Sequence, residues 1–247
     1  MKRVLTFTKR NFLKIARDPL SIVFCLAFPI IMLVLMELIF GAMPDTGAVM
    51  FKIENFAPGI ASFGYTFTML FIALNLSADK NSSFITRILV SPAKPFEYFI
   101  SFILSALPIC LVQTVLFYLV SLFFGLRVTG GLFVSMIYLI PSALFYISAG
   151  LLIGAIVKNA QQAGPLSSII ITAAGLLGGV WMPVETIGGG FLKAAKCMPF
   201  YNGVNVAKMA ITGDFSAFYP GGIIVIAYAI VFFVASVGFF NLSVKKK

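Results

Sequence analysis

The sequence has no histidine, eight acidic residues and three cysteines among 247 residues. Without histidine there is no Ser-His or Cys-His pair that could activate a nucleophile. Cys25, Cys110 and Cys197 lack the spacing of metal ligands, which argues against a zinc site or a disulfide scaffold. No GxxxxGK[ST] motif occurs, so this chain cannot cradle nucleotide phosphates in a P-loop. We therefore expect no enzymatic activity in this chain.

Charge is also scarce. Only 11% of the residues are charged and 60% are hydrophobic, with a mean hydropathy of +1.05. Soluble domains average about 25% charged and about 45–50% apolar residues. A water-soluble core of this length could not hide so much apolar surface, so the solvent must be a lipid bilayer. No polar stretch is long enough for a soluble domain, and residues 1–247 are predicted to form one membrane domain.

The formal net charge is +10, which in a soluble protein would suggest a nucleic-acid partner. Here the positive charges lie at the ends of apolar runs, where they orient the chain and contact anionic lipid head groups. Membrane lipid is therefore the expected partner of these charges, and nucleic acid is not.

Six apolar runs are long enough to span a bilayer, which takes about 20 residues. They are Pro19–Phe40, Pro58–Ala78, Tyr98–Leu126, Leu132–Val157, Pro165–Met182 and Pro220–Leu242. We predict an all-α integral membrane protein with six transmembrane helices. Residues 1–18 precede the spans, 19–182 hold spans one to five, 183–219 form an outer segment, and 220–247 hold span six and a basic tail.

The distribution of Lys and Arg predicts the orientation, because cytoplasmic segments are enriched in both. With an inner N-terminus, inner segments hold thirteen of the eighteen: Lys2, Arg3, Lys9, Arg10, Lys14, Arg17, Lys80, Arg87, Lys94, Lys158, Lys245, Lys246 and Lys247. Outer segments hold Lys52, Arg127, Lys193, Lys196 and Lys208. Both termini are therefore predicted to be cytoplasmic.

The N-terminal segment KRVLTFTKRNFLKIARD has the pattern of an amphipathic helix. Its apolar arc holds Val4, Leu5, Thr8, Phe12, Ile15 and Ala16. Its basic residues fall largely outside that arc, while Phe7 and Leu13 break the pattern. We predict a helix lying in the cytoplasmic membrane interface. The alternative is a basic flank that merely obeys the positive-inside rule.

Two further segments interrupt the apolar pattern. Between spans two and three, SFITRILV can form about two helical turns before Pro92 and Pro95 stop it. This predicts a short, stiff helix on the inner face.

Between spans five and six, FLKAAKCM and GVNVAKMAI have helical spacing and are separated by Pro199. These predict two short helices that re-enter the outer leaflet.

Single residues offer few functional candidates. Glu37 is the one acidic residue clearly within a span, where an ionisable group is a functional candidate. It could instead reach the outer interface or pair with Lys52 or another loop lysine. The small residues of GLLGGVWMP, Gly175 to Pro183, allow close helix approach, as simple packing, a dimer seam or a gate. Trp181 and Tyr201 are predicted to mark the outer interface.

The order of these features resembles the ABC transporter permeases of the type-2 exporter class. The resemblance rests on RDPLSIVFCLAFPI, RILVSPAKPFEY, GPLSSIIITAAGLLGGVWMP and MPFYNGVNVAK. It implies a cytoplasmic coupling helix with the residues Asp79, Lys80, Arg87, Ser91, Pro92 and Glu97. It also implies outer gate residues, Gly178, Gly179, Trp181, Pro183, Pro199 and Tyr201. The family's second acidic residue and its glycine at the start of the coupling helix appear here as Asn81 and Ser83.

The resemblance also implies the partners. A separate ABC ATPase subunit would bind ATP and magnesium, this chain would bind no cofactor, and a second permease copy or paralogue would complete a dimer. The assembly would sit in a bacterial plasma membrane and export an amphipathic drug, peptide or lipid-like solute. The alternatives are a secondary transporter, which would need coupling-ion groups at the midplane, and a non-transporting scaffold or bacteriocin immunity protein.

Overall fold

A computed structural model describes residues 2–41, 52–85, 95–182 and 184–245. Every regular element in these ranges is a helix, so the predicted all-α fold is confirmed for this part of the chain. In chain order the helices are α1 (Lys2–Ala16), α2 (Pro19–Ile22), a π-helix (Val23–Ala27), α3 (Phe28–Gly41), α4 (Ile53–Lys80), α5 (Pro95–Phe123), α6 (Gly130–Tyr138), α7 (Ile140–Ile156), α8 (Ala160–Leu177), α9 (Val184–Ile187), α10 (Gly189–Cys197), α11 (Pro199–Thr212), a second π-helix (Phe218–Gly222) and α12 (Ile223–Lys245).

Five helical stretches in the described ranges are long and apolar enough to cross a membrane. They are Pro19–Ile39, Ile53–Lys80, Pro95–Phe123, Gly130–Ile156 and Phe218–Ser243. These correspond to predicted spans one to four and six. The predicted fifth span corresponds to α8, whose first turn carries the polar residues Gln161 and Gln162. A sixth crossing by α8 therefore stays a prediction.

The first span contains a π-helix that ends at Ala27, two residues before Pro29. Proline has no N–H, so the carbonyl of Cys25, four residues earlier, loses its α-helical donor. Gln113 on α5 replaces that donor, with Nε2 lying 2.7 Å from the Cys25 carbonyl oxygen. The Oε1 atom of Gln113 accepts a hydrogen bond from Thr68 Oγ1 on α4 at 3.0 Å. Neighbouring helices thus satisfy the irregular backbone, as membrane depth requires.

The helix α4 lies at the centre of the bundle and packs against α5, α7, α8 and α11. Helix α7 comes closest because Gly150 and Gly154 face α4. A Cβ on Gly150 would lie 2.5 Å from the carbonyl oxygen of Met69, and one on Gly154 would lie 2.8 Å from the Cβ of Leu76. Small residues four positions apart let the backbones of membrane helices touch.

The helix α1 packs along α5. Phe7, which breaks the sequence pattern, contacts the ring of Tyr98, with centroids 5.8 Å apart. Ile15 is buried, whereas Leu5 and Phe12 are exposed. The helix therefore has two apolar edges, one against the protein, where Phe7 and Ile15 lie, and one facing outward. Its place in the membrane interface stays a prediction.

Helices form at both places where the sequence predicts short outer helices. Helices α10 and α11 are separated at Met198, and Pro199 opens α11. Proline suits the first turn of a helix, where its missing N–H would be unpaired in any case. Their position relative to lipid stays a prediction.

Candidate functional site

The carboxylate of Asp79, at the C-terminal end of α4, accepts hydrogen bonds from three side chains of two other helices. Arg10 on α1 donates through Nη1 to Oδ2 at 2.7 Å and through Nη2 to Oδ1 at 2.8 Å. Lys14, also on α1, donates to Oδ1 at 3.0 Å. Tyr98 on α5 donates its hydroxyl to Oδ2 at 2.6 Å. These four residues, here called the Asp79 cluster, join α1, α4 and α5 at one point.

The negative charge of Asp79 would be destabilising without these partners. Its side chain is only 5% exposed, and the C-terminus of a helix disfavours negative charge. Arg10 and Lys14 are four residues apart, so they lie on one face of α1 and reach the same carboxylate. The hydrogen bond to Asp79 raises the pKa of Arg10 above its ordinary value. The cluster is therefore a charged network whose members depend on one another.

Aromatic rings cover one side of the cluster. The guanidinium carbon of Arg10 lies 3.8 Å from the centroid of the Phe84 ring. Phe7 makes edge contacts with the rings of Phe84 and Tyr98, at centroid distances of 6.2 and 5.8 Å. Phe84 and Tyr98 make a tilted contact with each other at 6.0 Å. A cation over an aromatic face is attracted more strongly when water is excluded. The cluster thus fixes Phe84, which follows α4 by a few residues.

Lys80 and Asn81, which follow Asp79, bond to the end of α7. Lys80 Nζ donates to the carbonyl of Ala155 at 2.7 Å and also to the carbonyl of Val157. Asn81 Nδ2 donates to the carbonyl of Lys158 at 2.6 Å. The last carbonyls of a helix have no partner within that helix. Lys80 and Asn81 therefore cap the end of α7 and connect it to the end of α4.

Two members of the Asp79 cluster, Asp79 and Tyr98, flank the predicted coupling segment in the chain. Residues 83–85 are helical and lead into 86–94, and the chain returns at Pro95, three residues before Tyr98. Glu97 is half-buried in the first turn of α5, where negative charge suits the helix dipole. Three of the predicted coupling residues fall outside the described ranges, and their roles stay predictions: Arg87, Ser91 and Pro92.

Two predicted coupling residues, Asp79 and Lys80, are buried within the chain. Their polar atoms contact α1, α5 and the end of α7. This geometry gives them the role of holding helix ends together. Any part they take in coupling would pass through the helices that they join.

Glu37 is half-buried near the end of the first span. Its Oε1 atom is buried and has no hydrogen-bond partner within the described ranges. No ion pair between Glu37 and Lys52 is formed in that part of the chain. The pairing considered from the sequence is therefore not seen there, and contact of Glu37 with a solute stays a prediction.

The predicted outer residues separate into two groups. In the first, α8 ends at Leu177, earlier than the predicted Met182, because Gly178 caps the helix and Gly179 has a φ of +68°. The chain then turns back so that Trp181 covers Gly175, where an added Cβ would lie 2.6 Å from the indole ring. Pro183 falls outside the described ranges.

The second group lies on the outer helices. Pro199 is buried at the start of α11, and the hydroxyl of Tyr201 donates to Glu185 Oε1 at 3.1 Å. Partial burial and the nearby Glu185 raise the pKa of Tyr201 to about 12. Beside Glu185 lies a pocket of about 280 Å³ with a mixed polar and apolar lining. Its lining residues are Asn55, Glu185, Thr186, Asn205, Lys208, Met209 and Thr212.

Lys208 is the cation of this pocket. Burial lowers its pKa, and Glu185 partly opposes that effect. No group of three or more Cys, Asp or Glu residues that could hold a metal occurs in the ranges that the structure describes. The pocket thus brings one cation, Lys208, near one carboxylate, Glu185.

Sequence reasoning missed most of the residues that Asp79 and Cys25 depend on. The sequence pattern places Arg10 and Lys14 on the basic side of the N-terminal helix and Tyr98 at the start of span three, and it does not single out Gln113. The spacing of Arg10 and Lys14 is a usable signal, because two cations four residues apart on a helix can meet one acid. Nothing local identifies which acid that is.

A comparison with protein families matches residues 2–212 to the family described as ABC-2 type transporter. A comparison with curated proteins gives no match. The family match covers most of the chain, including the Asp79 cluster, the predicted coupling segment and helices α10 and α11. The chain therefore belongs to the ABC-2 type transporter family, as an ABC transporter permease that spans the membrane several times.

Proposed function

We propose that the chain is the permease subunit of an ATP-driven exporter that moves an amphipathic drug, peptide or lipid-like solute outward. A separate ATPase subunit binds ATP and magnesium and seats the segment 79–96 in a cleft. The family match supports an ATPase partner. The observation that carries the mechanism is the Asp79 cluster, because it ties both ends of this segment to one another and to α1.

Force applied to the segment would reach the bundle by three routes. Asp79 and Tyr98 pass it to α4 and α5, Arg10 passes it to α1, and Lys80 passes it to α7. Packed helices linked in this way move as a unit, as in rigid-body switching transitions. The central position of α4 then carries the displacement to α8 and to the outer helices. A path for solute would open and close in response.

A second permease copy or a paralogue completes the transporter. The outer-half surface of α8 supports this part of the proposal. It presents a groove of about 540 Å³. The lining is formed largely by small and branched residues, Ser168, Ile169, Thr172, Ala173, Leu176, Leu177 and Phe191. Small residues at such a surface let a second helix approach closely.

The test uses the tagged chain expressed with its ATPase. We expect a protein bearing GxxxxGK[ST] to co-purify, and we expect Arg87→Ala or Pro92→Gly to reduce transport or solute-stimulated ATPase activity while insertion is unchanged. The matched control is Arg127→Ala, an exposed arginine in the loop between α5 and α6. Full coupling in both segment variants, or ATP-independent transport that follows an ion gradient, would contradict the proposal.

A further inference from the structure

An apolar groove of about 340 Å³ lies between α1, the π-helical part of the first span and α5. Its volume is in the range of ligand pockets, about 300–1,000 Å³. The walls are formed mainly by Phe12, Ala16, Ile22, Cys25, Pro108 and Val112. Ser21 also lines it, but its hydroxyl is bonded to Asp18 Oδ2 at 2.6 Å. The groove therefore suits a hydrocarbon chain better than a polar solute.

The rim of the groove on α1 carries one basic residue, Lys9. Lys9 precedes Phe12 by three residues and Ala16 by seven, so the three side chains lie along one edge of the helix. Lys9 is exposed and forms no ion pair with another residue of the described ranges. Arg10 and Lys14, in contrast, are engaged with Asp79, and Arg17, seven residues after Arg10, lies on the continuation of that same face of α1.

We propose that this groove binds one acyl chain of an anionic phospholipid, whose phosphate lies against Lys9. The apolar walls require an apolar chain and the basic rim requires an anion, and an anionic lipid supplies both at the depth where an amphipathic helix lies. A neutral lipid would leave the rim unpaired, and a free phosphate would leave the groove unfilled. This inference does not rest on ATPase coupling.

The bound lipid would fix α1 from the side opposite the Asp79 cluster. The helix would then be held on one edge by protein and on the other by lipid. Membrane composition would therefore influence the position of α1 and, through Arg10 and Lys14, the end of α4.

The test measures quenching of a tryptophan in the groove by lipid brominated on its acyl chains. Phe12→Trp is placed in a Trp181→Phe background and reconstituted in phosphatidylcholine with a small fraction of brominated phosphatidylglycerol. The matched control is Phe239→Trp on α12, because Phe239 is also an outward-facing phenylalanine (49% exposed, against 38% for Phe12) and does not line the groove. Val112→Trp is the second reporter if the first variant does not fold.

We expect brominated phosphatidylglycerol to be enriched about fivefold at Phe12→Trp over Phe239→Trp, since one cation near an anionic lipid raises the affinity by about that factor. Brominated phosphatidylcholine should quench both positions equally. Lys9→Gln should abolish the enrichment, whereas Arg127→Gln should not. Equal quenching by phosphatidylglycerol at the groove and control positions would overturn the proposal. Enrichment that survives Lys9→Gln, or that phosphatidylcholine matches, would also overturn it.

Discussion

The guanidinium of Arg10 bonds to both carboxylate oxygens of Asp79, although the two residues are 69 positions apart in the chain. The pair is bidentate, which is the strongest geometry for an arginine and a carboxylate. It connects the N-terminal helix to the end of the central helix. Lys14 and Tyr98 bind the same carboxylate, so the contact is the meeting point of three helices.

Arg10 and Asp79 should be energetically coupled. Asp79→Asn removes the charge that two cations share and should lower the free energy of unfolding by about 2 kcal/mol. This loss of stability is smaller than that expected for a fully buried pair, because the side chain of Arg10 is 33% exposed. In a double-mutant cycle with Arg10→Gln, we expect a coupling energy of about 1–3 kcal/mol. The measurement is unfolding in detergent micelles.

The control for this cycle is Asp214→Asn. Asp214 is exposed, and the hydroxyl of Ser216, two residues away, bonds to its carboxylate. That variant should change stability little. Additive effects of Arg10→Gln and Asp79→Asn would show that the cluster does not act as one network.

Gly150 should not tolerate alanine. A Cβ at this position would lie 2.5 Å from a backbone oxygen of α4, so α7 would have to move. Overpacking of this kind costs about 1–3 kcal/mol. Gly164→Ala is the matched control, because a Cβ on Gly164 would have no neighbour within 4 Å. Thermal unfolding of the two variants in detergent checks the prediction, and equal midpoints would contradict the close approach of α7 to α4.

Gln113 should stabilise the π-helix of the first span. Gln113→Met keeps the length of the side chain but removes the donor to the Cys25 carbonyl. We expect a loss of about 1–2 kcal/mol, the cost of a buried polar group left unpaired. The buried thiol of Cys25 should also react faster with a small maleimide, because the wall around it loosens. Gln161→Met, an exposed glutamine of α8, should change neither quantity.

Lys208 should make stability depend on pH. Its pKa in the folded protein is lowered by burial, below the ordinary lysine value of 10.5. Between the lowered value and 10.5 the unfolded chain binds more protons than the folded one, so stability rises with pH in this window. Lys208→Met should flatten that rise. The thermal midpoints of the unsubstituted protein and of Lys208→Met should be measured from neutral pH toward 10.5. A constant difference between the two midpoints across this range would contradict the assignment.

The sequence predicts the all-α fold and most of the helices, because hydrophobic runs and prolines act locally. Pro199 opens an outer helix at its predicted place. The π-helix ahead of Pro29 depends in part on Gln113, a residue from another helix, so no local pattern indicates it.

The partners of Asp79 could not be predicted for the same reason. Arg10 and Lys14 mark one face of α1, yet only the packed bundle determines that this face meets the end of α4 and not another acid. The outer end of α8 was placed too late in the chain, because apolar residues continue past Gly179 while the backbone has already turned. Local patterns thus fix elements well and contacts between distant elements poorly.

The central claim is that the segment between α4 and α5 lies against an ATPase on the inner face. The most direct test places a single reactive cysteine there, Ser91→Cys, in a Cys197→Ser background, since Cys25 and Cys110 are buried. We predict that a photo-activated cross-linker on this cysteine captures a protein bearing GxxxxGK[ST] in intact membranes. Labelling of the same cysteine by a membrane-impermeant maleimide from outside intact cells, with no ATPase captured, would contradict the account.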